Sequence, residues 1–151
     1  MMDKSGKANA VGINHVALEV GNVREALEFY GSFLNFEIDS QSDEAAFIYF
    51  GDQFINFMVG RTQAPDQGRH FGIAVDNKEQ VRETITAMGV ETIDTNPRFL
   101  DFLDPWGNRV EITTYQKIQF TKDANVLKGM GLMDIGKTPE ALKELADKGM
   151  V

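Results

Sequence analysis

Two stretches of this chain alternate apolar and polar residues with a period of two, and each runs into a stretch with a period near 3.6. In the first, Val16, Leu18 and Val20 point one way while His15, Ala17 and Glu19 point the other. In the second, Phe71, Ile73 and Val75 form the apolar side of a strand opened by Arg69 and His70. Asn22 and Asn77 stand where a helix N-cap belongs. Val23, Ala26, Leu27, Tyr30 and Leu34 then recur at helical spacing, and so do Val81, Ile85 and Met88. The pattern predicts helices over 23–34 and 78–88, the first weakened by Gly31 and the second ended by Gly89.

Three short strands are expected after each helix, at 36–41, 46–50 and 54–59 and again at 90–93, 98–103 and 109–114. Gly51-Asp52 and the segment Asp104-Pro105-Trp106-Gly107-Asn108 supply hairpin turns. Phe54, Asn56 and Met58 share a face opposite Ile55, Phe57 and Val59, and Arg109, Glu111 and Thr113 share a face opposite Val110 and Ile112. Each half therefore reads β-α-β-β-β, and the halves are copies. His70 lies 55 residues after His15, and Glu111 lies 55 residues after Asn56. The expected organisation is a flexible N-terminus at 1–11, one domain at 12–115 built of modules 12–60 and 69–115, and an extension at 116–151. In that extension Thr138 caps a helix at about 139–148, with Pro139 in the first turn, Gly149 as terminator, and Leu142, Leu145 and Ala146 as its buried side.

Composition narrows the classes. Over 151 residues, 42% apolar with 25% charged is ordinary for one globular domain with a core. A net charge of −8 argues against nucleic acid and anionic membrane surfaces, leaving small-molecule or protein partners. No cysteine is present, so thiolate metal sites and disulfides are excluded. Neither a signal-peptide pattern nor an apolar run of membrane-spanning length occurs, and a cytoplasmic location is the expectation.

The chemistry-bearing positions are His15, Asn56, His70 and Glu111, which occupy matched places in the two copies. A histidine opening a strand can be a hydrogen-bonded structural residue. Here the chain's two histidines both fall at the repeated place, with a carboxylate at a third, and two imidazoles plus one carboxylate suit a divalent first-row metal. Glu19 shares a face with His15. Arg109 shares one with Glu111 and is a candidate for an anionic substrate group, as are Arg61, Arg69 and Arg98, each of which can equally be a surface charge. Phe54, Met58, Phe99, Phe102 and Trp106 either line an apolar pocket or belong to the core. Residues 131–138 satisfy the phosphate-loop pattern G-x-x-x-x-G-K-[ST], but no buried strand precedes them and Thr138 reads as a cap.

The tandem units, each opened by a histidine in Asn14-His15-Val16 and Arg69-His70-Phe71, and the closing hairpin Asp104-Pro105-Trp106-Gly107-Asn108-Arg109-Val110-Glu111, resemble the vicinal-oxygen-chelate superfamily over Gly12 to Tyr115. That group includes glyoxalase I, extradiol dioxygenases, fosfomycin-resistance proteins, methylmalonyl-CoA epimerase and the bleomycin-resistance proteins. The resemblance implies an α+β fold in which two tandem βαβββ modules form a cupped, incomplete eight-stranded barrel, followed here by a helical extension. It implies His15, His70 and Glu111 as ligands of a divalent metal, which could be Fe, Mn, Ni, Co or Zn. Asn56 departs from the pattern: glyoxalase I usually has a glutamate there that is both ligand and base, and the epimerase a longer amide. Asparagine is no base, so Asn56 is expected behind the ligands or as a weak fourth one. Glu19, Arg109, Phe54 and Met58 are candidates for substrate or acid–base contacts, and Glu44 is a weaker acid–base candidate.

The implied function is a metal-dependent enzyme acting on a small oxygen-bearing substrate, of lyase, isomerase or dioxygenase type. The alternative is a non-catalytic protein that sequesters a small molecule or antibiotic, as bleomycin-resistance proteins do. The weakest expectation is an assembly module. A homodimer is implied throughout, and in some members the ligands of one site come from two chains.

Overall fold

The computed structural model describes residues 6–151 apart from Asp94, Thr95 and Pro97, so part of the expected N-terminal segment 1–11 lies outside the described residues. The first half contains β1 (His15–Val20), α1 (Val23–Gly31), β2 (Glu37–Gln41), β3 (Ala45–Phe50) and β4 (Gln53–Val59). The second contains β5 (Phe71–Val75), α2 (Lys78–Ala87), β6 (Asp101–Leu103) and β7 (Arg109–Thr114). A 3-10 turn at Tyr115–Lys117, α3 (Ala124–Gly129) and α4 (Pro139–Asp147) follow. The fold is α+β, with one sheet ordered β1-β4-β3-β2 and another ordered β5-β7-β6. Among the described residues no helix is long and apolar enough to cross a membrane.

The repeat extends to strand register. β1 runs parallel to β4 with Ala17 beside Asn56 and Leu18 beside Phe57. β5 runs parallel to β7 with Gly72 beside Glu111 and Ile73 beside Ile112, the same pairings 55 residues on. The halves differ at the strand expected over 90–93, which is reduced to a single bridge between Thr92 and Phe102. The strand expected over 98–103 begins only at Asp101.

Alternation decides what is buried. Leu18, Val20, Ile48, Ile55, Phe57, Ile73, Phe102, Val110 and Ile112 point from both sheets into one core, joined by Val23, Ala26, Phe29 and Tyr30 of α1 and by Val81 and Ile85 of α2. Phe102 is therefore core, fully enclosed and edge-on to Phe29 and Phe33. Asn22 accepts from the Glu25 amide at 2.9 Å and Asn77 from the Gln80 amide at 3.0 Å, as caps do. Met88, expected on the buried stripe of α2, stands half exposed beyond the helix end. In α4 the buried residues are Ala141 and Leu145, while Leu142 and Ala146 are exposed. Leu145 is buried as expected, and the rest of the buried side is turned to Ala141, with the helix packed near the 3-10 turn.

Polar contacts lock the halves together. Asp104 takes the Trp106 and Asn108 amides on one oxygen and the Tyr30 hydroxyl and Asn108 side chain on the other. Burial, reinforced by the Asp104 charge, pushes the Tyr30 phenol well above its usual range. Asn108 also reaches the Glu19 carbonyl at 3.0 Å and accepts from Arg61 at 2.5 Å. Arg61 is thus neither a surface charge nor a free anion hook: only 6% of its side chain is exposed, and it ties the connector 60–68 to the closing hairpin. Trp106 packs so closely on Gly21 that a Cβ there would stand 2.4 Å from the indole nitrogen.

Candidate functional site

The polar face of the second sheet is built by alternation on β7. Val110 and Ile112 enter the core, so Arg109, Glu111 and Thr113 turn outward. His70 immediately precedes β5, and its Nε2 lies 3.4 Å from Glu111 Oε2. The His70 Nδ1 is 2.8 Å from the Gly68 carbonyl oxygen. A carbonyl only accepts, so Nδ1 carries a proton and Nε2 is the ring nitrogen turned toward the carboxylate. Gly72, in register with Glu111, has open space where a side chain would begin. The result is a pair of metal-competent donors beside an uncrowded strand.

Arg109 lies next to this pair, but its guanidinium is already committed. It donates to Asp101 Oδ2 at 3.0 and 2.7 Å and to the Gln67 carbonyl at 2.5 Å. Asp101 is 3% exposed and stands directly across the strand pair from Glu111. It was not among the expected site residues, although its place opposite Glu111 follows once β6 and β7 are paired in register. Arg69 is bound at 2.7 Å to Asp66, and the Arg98 carbonyl accepts from Lys78.

On the first sheet, His15 opens β1 and stacks on Phe54, with ring centroids 4.5 Å apart and planes 9° from parallel. Its Nδ1 is 2.8 Å from Asn14 Oδ1, an arrangement that again leaves Nε2 outward. Phe54 is flanked by Tyr49 and Phe47, which extend an aromatic wall not expected from sequence. Asn56 sits between Ala17 and Phe47 on the same face, and its Oδ1 is buried without a hydrogen-bond partner. Met58 is exposed beside half-buried Glu19 at the far end of the strand pair. Phe99 is 42% exposed, Trp106 packs on Gly21, and Glu44 sits ahead of β3, its carbonyl receiving the Val59 amide.

The structure therefore brings His70 and Glu111 together, with Arg109 and Asp101, and leaves His15, Asn56, Phe54, Met58 and Glu19 on the other sheet. Among the described residues no three histidine or carboxylate side chains converge to hold a metal. The donor types fit such an ion, but one chain presents them on two separate faces. A cleft of about 420 Å³ between Phe29, Val90, Thr92, Ile93, Leu103 and Pro105 touches none of these donors. The phosphate-loop-like segment is committed elsewhere, because Lys137 donates to the carbonyls of Tyr115, Ile118 and Phe120 and lies 3.5 Å from the centre of the Tyr115 ring.

A family model described as the Glyoxalase/Bleomycin resistance protein/Dioxygenase superfamily matches residues 12–112, which hold both sheets except the last two residues of β7 and include all four repeated polar positions. The chain belongs to this superfamily. Solved structures of similar fold agree with that membership. A protein assigned to the glyoxalase family from Bacillus anthracis is 25% identical, with 70% of this chain and 96% of that chain covered and a TM-score of 0.56. The fosfomycin resistance protein FosX from Listeria monocytogenes, complexed with Mn(II) and sulfate ion, is 20% identical, with 80% and 98% covered and a TM-score of 0.62. FosX from Mesorhizobium loti is 17% identical, with 70% and 93% covered and a TM-score of 0.60. Residues 113–151 of this superfamily member, with α3 and α4, lie outside the family match.

Proposed function

We propose that this chain is a metal-dependent enzyme of the superfamily, acting as a homodimer on a small oxygen-bearing substrate, with His70 and Glu111 of one copy and the partner's His15 as the metal ligands. The observation that carries this reading is the His70 Nε2 set 3.4 Å from Glu111 Oε2, with Nδ1 bonded to the Gly68 carbonyl. The separation of His15 from that pair supports a shared site, because a second copy can bring the aromatic face of one sheet against the His70–Glu111 face of the other. A bound divalent metal supplies Lewis acidity to a substrate that chelates through two oxygens. Fe, Mn, Ni, Co and Zn all suit the ligand types, and the Mn(II) bound by FosX makes manganese a first choice to test.

The residues around the ligands constrain the substrate. Arg109 is held by Asp101, so an anionic group meets no free guanidinium from it. Phe47, Tyr49 and Phe54 offer an apolar wall against His15. Asn56 cannot remove a proton. Glu19 shares a face with His15 but stands toward the other end of β1. It would therefore serve as the base of an isomerase reaction only for a substrate long enough to span the strand, and lyase or dioxygenase chemistry would leave it a bystander. Such a protein would work in the cytoplasm. The second reading, sequestration of a cationic aromatic compound without catalysis, is favoured by that aromatic wall together with the −8 charge.

The test is metal content of untagged protein. Near-stoichiometric metal in the native protein and its loss in His70→Ala and Glu111→Gln are expected. Mixing His15→Ala with His70→Ala subunits should restore one site per mixed dimer, since one of its two sites then keeps every ligand. No metal in the native protein and no thermal stabilisation by added metals would favour sequestration, and metal without recovery on mixing would place all ligands in one chain.

A further inference from the structure

The segment after β7 lies outside the family match, yet it reaches the start of β4, the strand that pairs with the one carrying His15. Lys122 is the point of contact. Its side chain is 8% exposed, forms an ion pair with Asp52, and donates to Gln53 Oε1 at 3.1 Å. That hydrogen bond holds the Asp52 carboxyl below its usual range. Gln53 spends its other end on the segment leading into β1, its Nε2 donating to the Ile13 carbonyl at 2.7 Å. The next residue, Phe54, donates its amide to the Asn14 carbonyl at 3.3 Å and stacks its ring on His15. Asn14 closes the chain of contacts through the 2.8 Å bond between its Oδ1 and His15 Nδ1.

The tail is fastened where it does this. Val126 of α3 and Met130 at its C-cap pack over the β3–β4 turn so tightly that a Cβ on Gly51 would stand 2.6 Å from the Met130 sulfur. Gly51 has φ +73, a backbone region costly for any side chain. The Lys122 amide donates to the Tyr115 hydroxyl at 3.1 Å, and Lys137 gathers three carbonyls of the same bend. The ammonium of Lys122 is therefore delivered from a well-tied loop. By contrast, Ile13 and Asn14 are exposed and precede the first ladder residue, so Gln53 and Phe54 are the groups that hold their backbone.

We infer that the C-terminal extension is a clamp on the His15 end of β1, with Lys122 as a positioning residue that acts through Gln53 and Asn14 to keep the His15 Nδ1 protonated and its Nε2 lone pair outward. A neutral imidazole exchanges its proton between two nitrogens, and the partner of one nitrogen decides which form is populated. Fraying of Ile13-Asn14 removes that partner. As far as metal is concerned this inference rests on the function proposed above, but the tautomer of His15 can be read without any metal.

The experiment is ring-nitrogen NMR of metal-free full-length protein at about pH 8.5, above the titration range of imidazole. The two histidine rings are assigned with His15→Asn. In the native chain both rings should show a single tautomer with protonated Nδ1. Lys122→Met should move the His15 nitrogens toward the average of two tautomers and leave the His70 ring, held by Gly68, unchanged, while Lys122→Arg should restore the native pattern. Gln53→Leu keeps the Lys122–Asp52 pair and should reproduce the His15 change, which covers the case in which Lys122→Met fails to fold. Metal affinity should fall about 10- to 100-fold in either variant, the range for a residue that orients a ligating histidine. A native His15 ring already mixed between tautomers would overturn the clamp, and so would an unchanged ring in folded Lys122→Met and Gln53→Leu. A His15 change in a protein that binds no metal would support the clamp and sink the metal site instead.

Discussion

Asp104 receives four hydrogen bonds, from the Trp106 and Asn108 amides, the Asn108 side chain and the Tyr30 hydroxyl at 2.9 Å. The carboxylate can be buried because its lone pairs are met. Tyr30→Phe keeps the ring packing and removes one of the two donors to Oδ2 in a site only 4% exposed. The expected loss is about 1–3 kcal/mol of unfolding free energy, measured by urea denaturation with an unchanged m-value, and a loss near zero would mean that water takes the place of the phenol. At the candidate site, Glu111→Gln keeps the shape and discards the charge. It should abolish metal retention on dialysis while leaving the melting temperature of the metal-free protein within about 2 °C, the shift expected of a substitution worth under ~0.5 kcal/mol.

Elements meet where side chains are small. Gly21 lies between β1 and α1, and Trp106 of the opposite hairpin covers it. Gly21→Ala forces the indole to move, with an expected cost of about 1–3 kcal/mol as overpacking. The effect should be non-additive with Trp106→Leu, whose smaller side chain leaves room for the methyl, and additive losses in the double-mutant cycle would show that the backbone rather than the indole resists the change. At the other end of the chain, Thr138 accepts from the Ala141 amide at 3.3 Å and starts α4. Thr138→Ala should lose about 1 kcal/mol and expose the docking of Ala141 and Leu145 to faster amide exchange. Uniform exchange throughout α4 in both proteins would show that the cap contributes nothing.

At the scale of the whole molecule, Asp66 joins connector and sheet. It accepts from Arg69 and Arg61 on Oδ1 and from the Arg109 amide on Oδ2. Burial raises its pKa, but the Arg69 bond, the Arg109 amide and the two guanidinium charges outweigh it, so the net shift is below the usual 3.8. A depressed folded-state pKa means that the stabilisation is present above the unfolded value and is lost as pH falls through the folded one. The difference in unfolding free energy between native protein and Asp66→Asn should therefore be constant from about pH 5 to 8 and shrink below about pH 4. A difference that persists undiminished at low pH would mean that the carboxylate charge is not what holds the connector.

Much of this protein was legible in one dimension. The 55-residue repeat, the two asparagine caps, the period-two faces of β1, β4, β5 and β7, and the outward placement of His15, His70 and Glu111 all follow from spacing. They follow because strand and helix periodicity are local properties of the backbone, which the order of apolar and polar residues reports directly. The packed chain decided the rest. Arg109 could be placed beside Glu111 from the sequence, but its neutralisation by Asp101 needed the register of β6 against β7. The burial of Arg61, the rotated face of α4, and the reach of Lys122 to the turn before Gln53 depend on segments far apart in the chain. Which of two plausible partners a long side chain takes is set by distances across the fold, and those exist only once the sheets, the connector and the tail are packed.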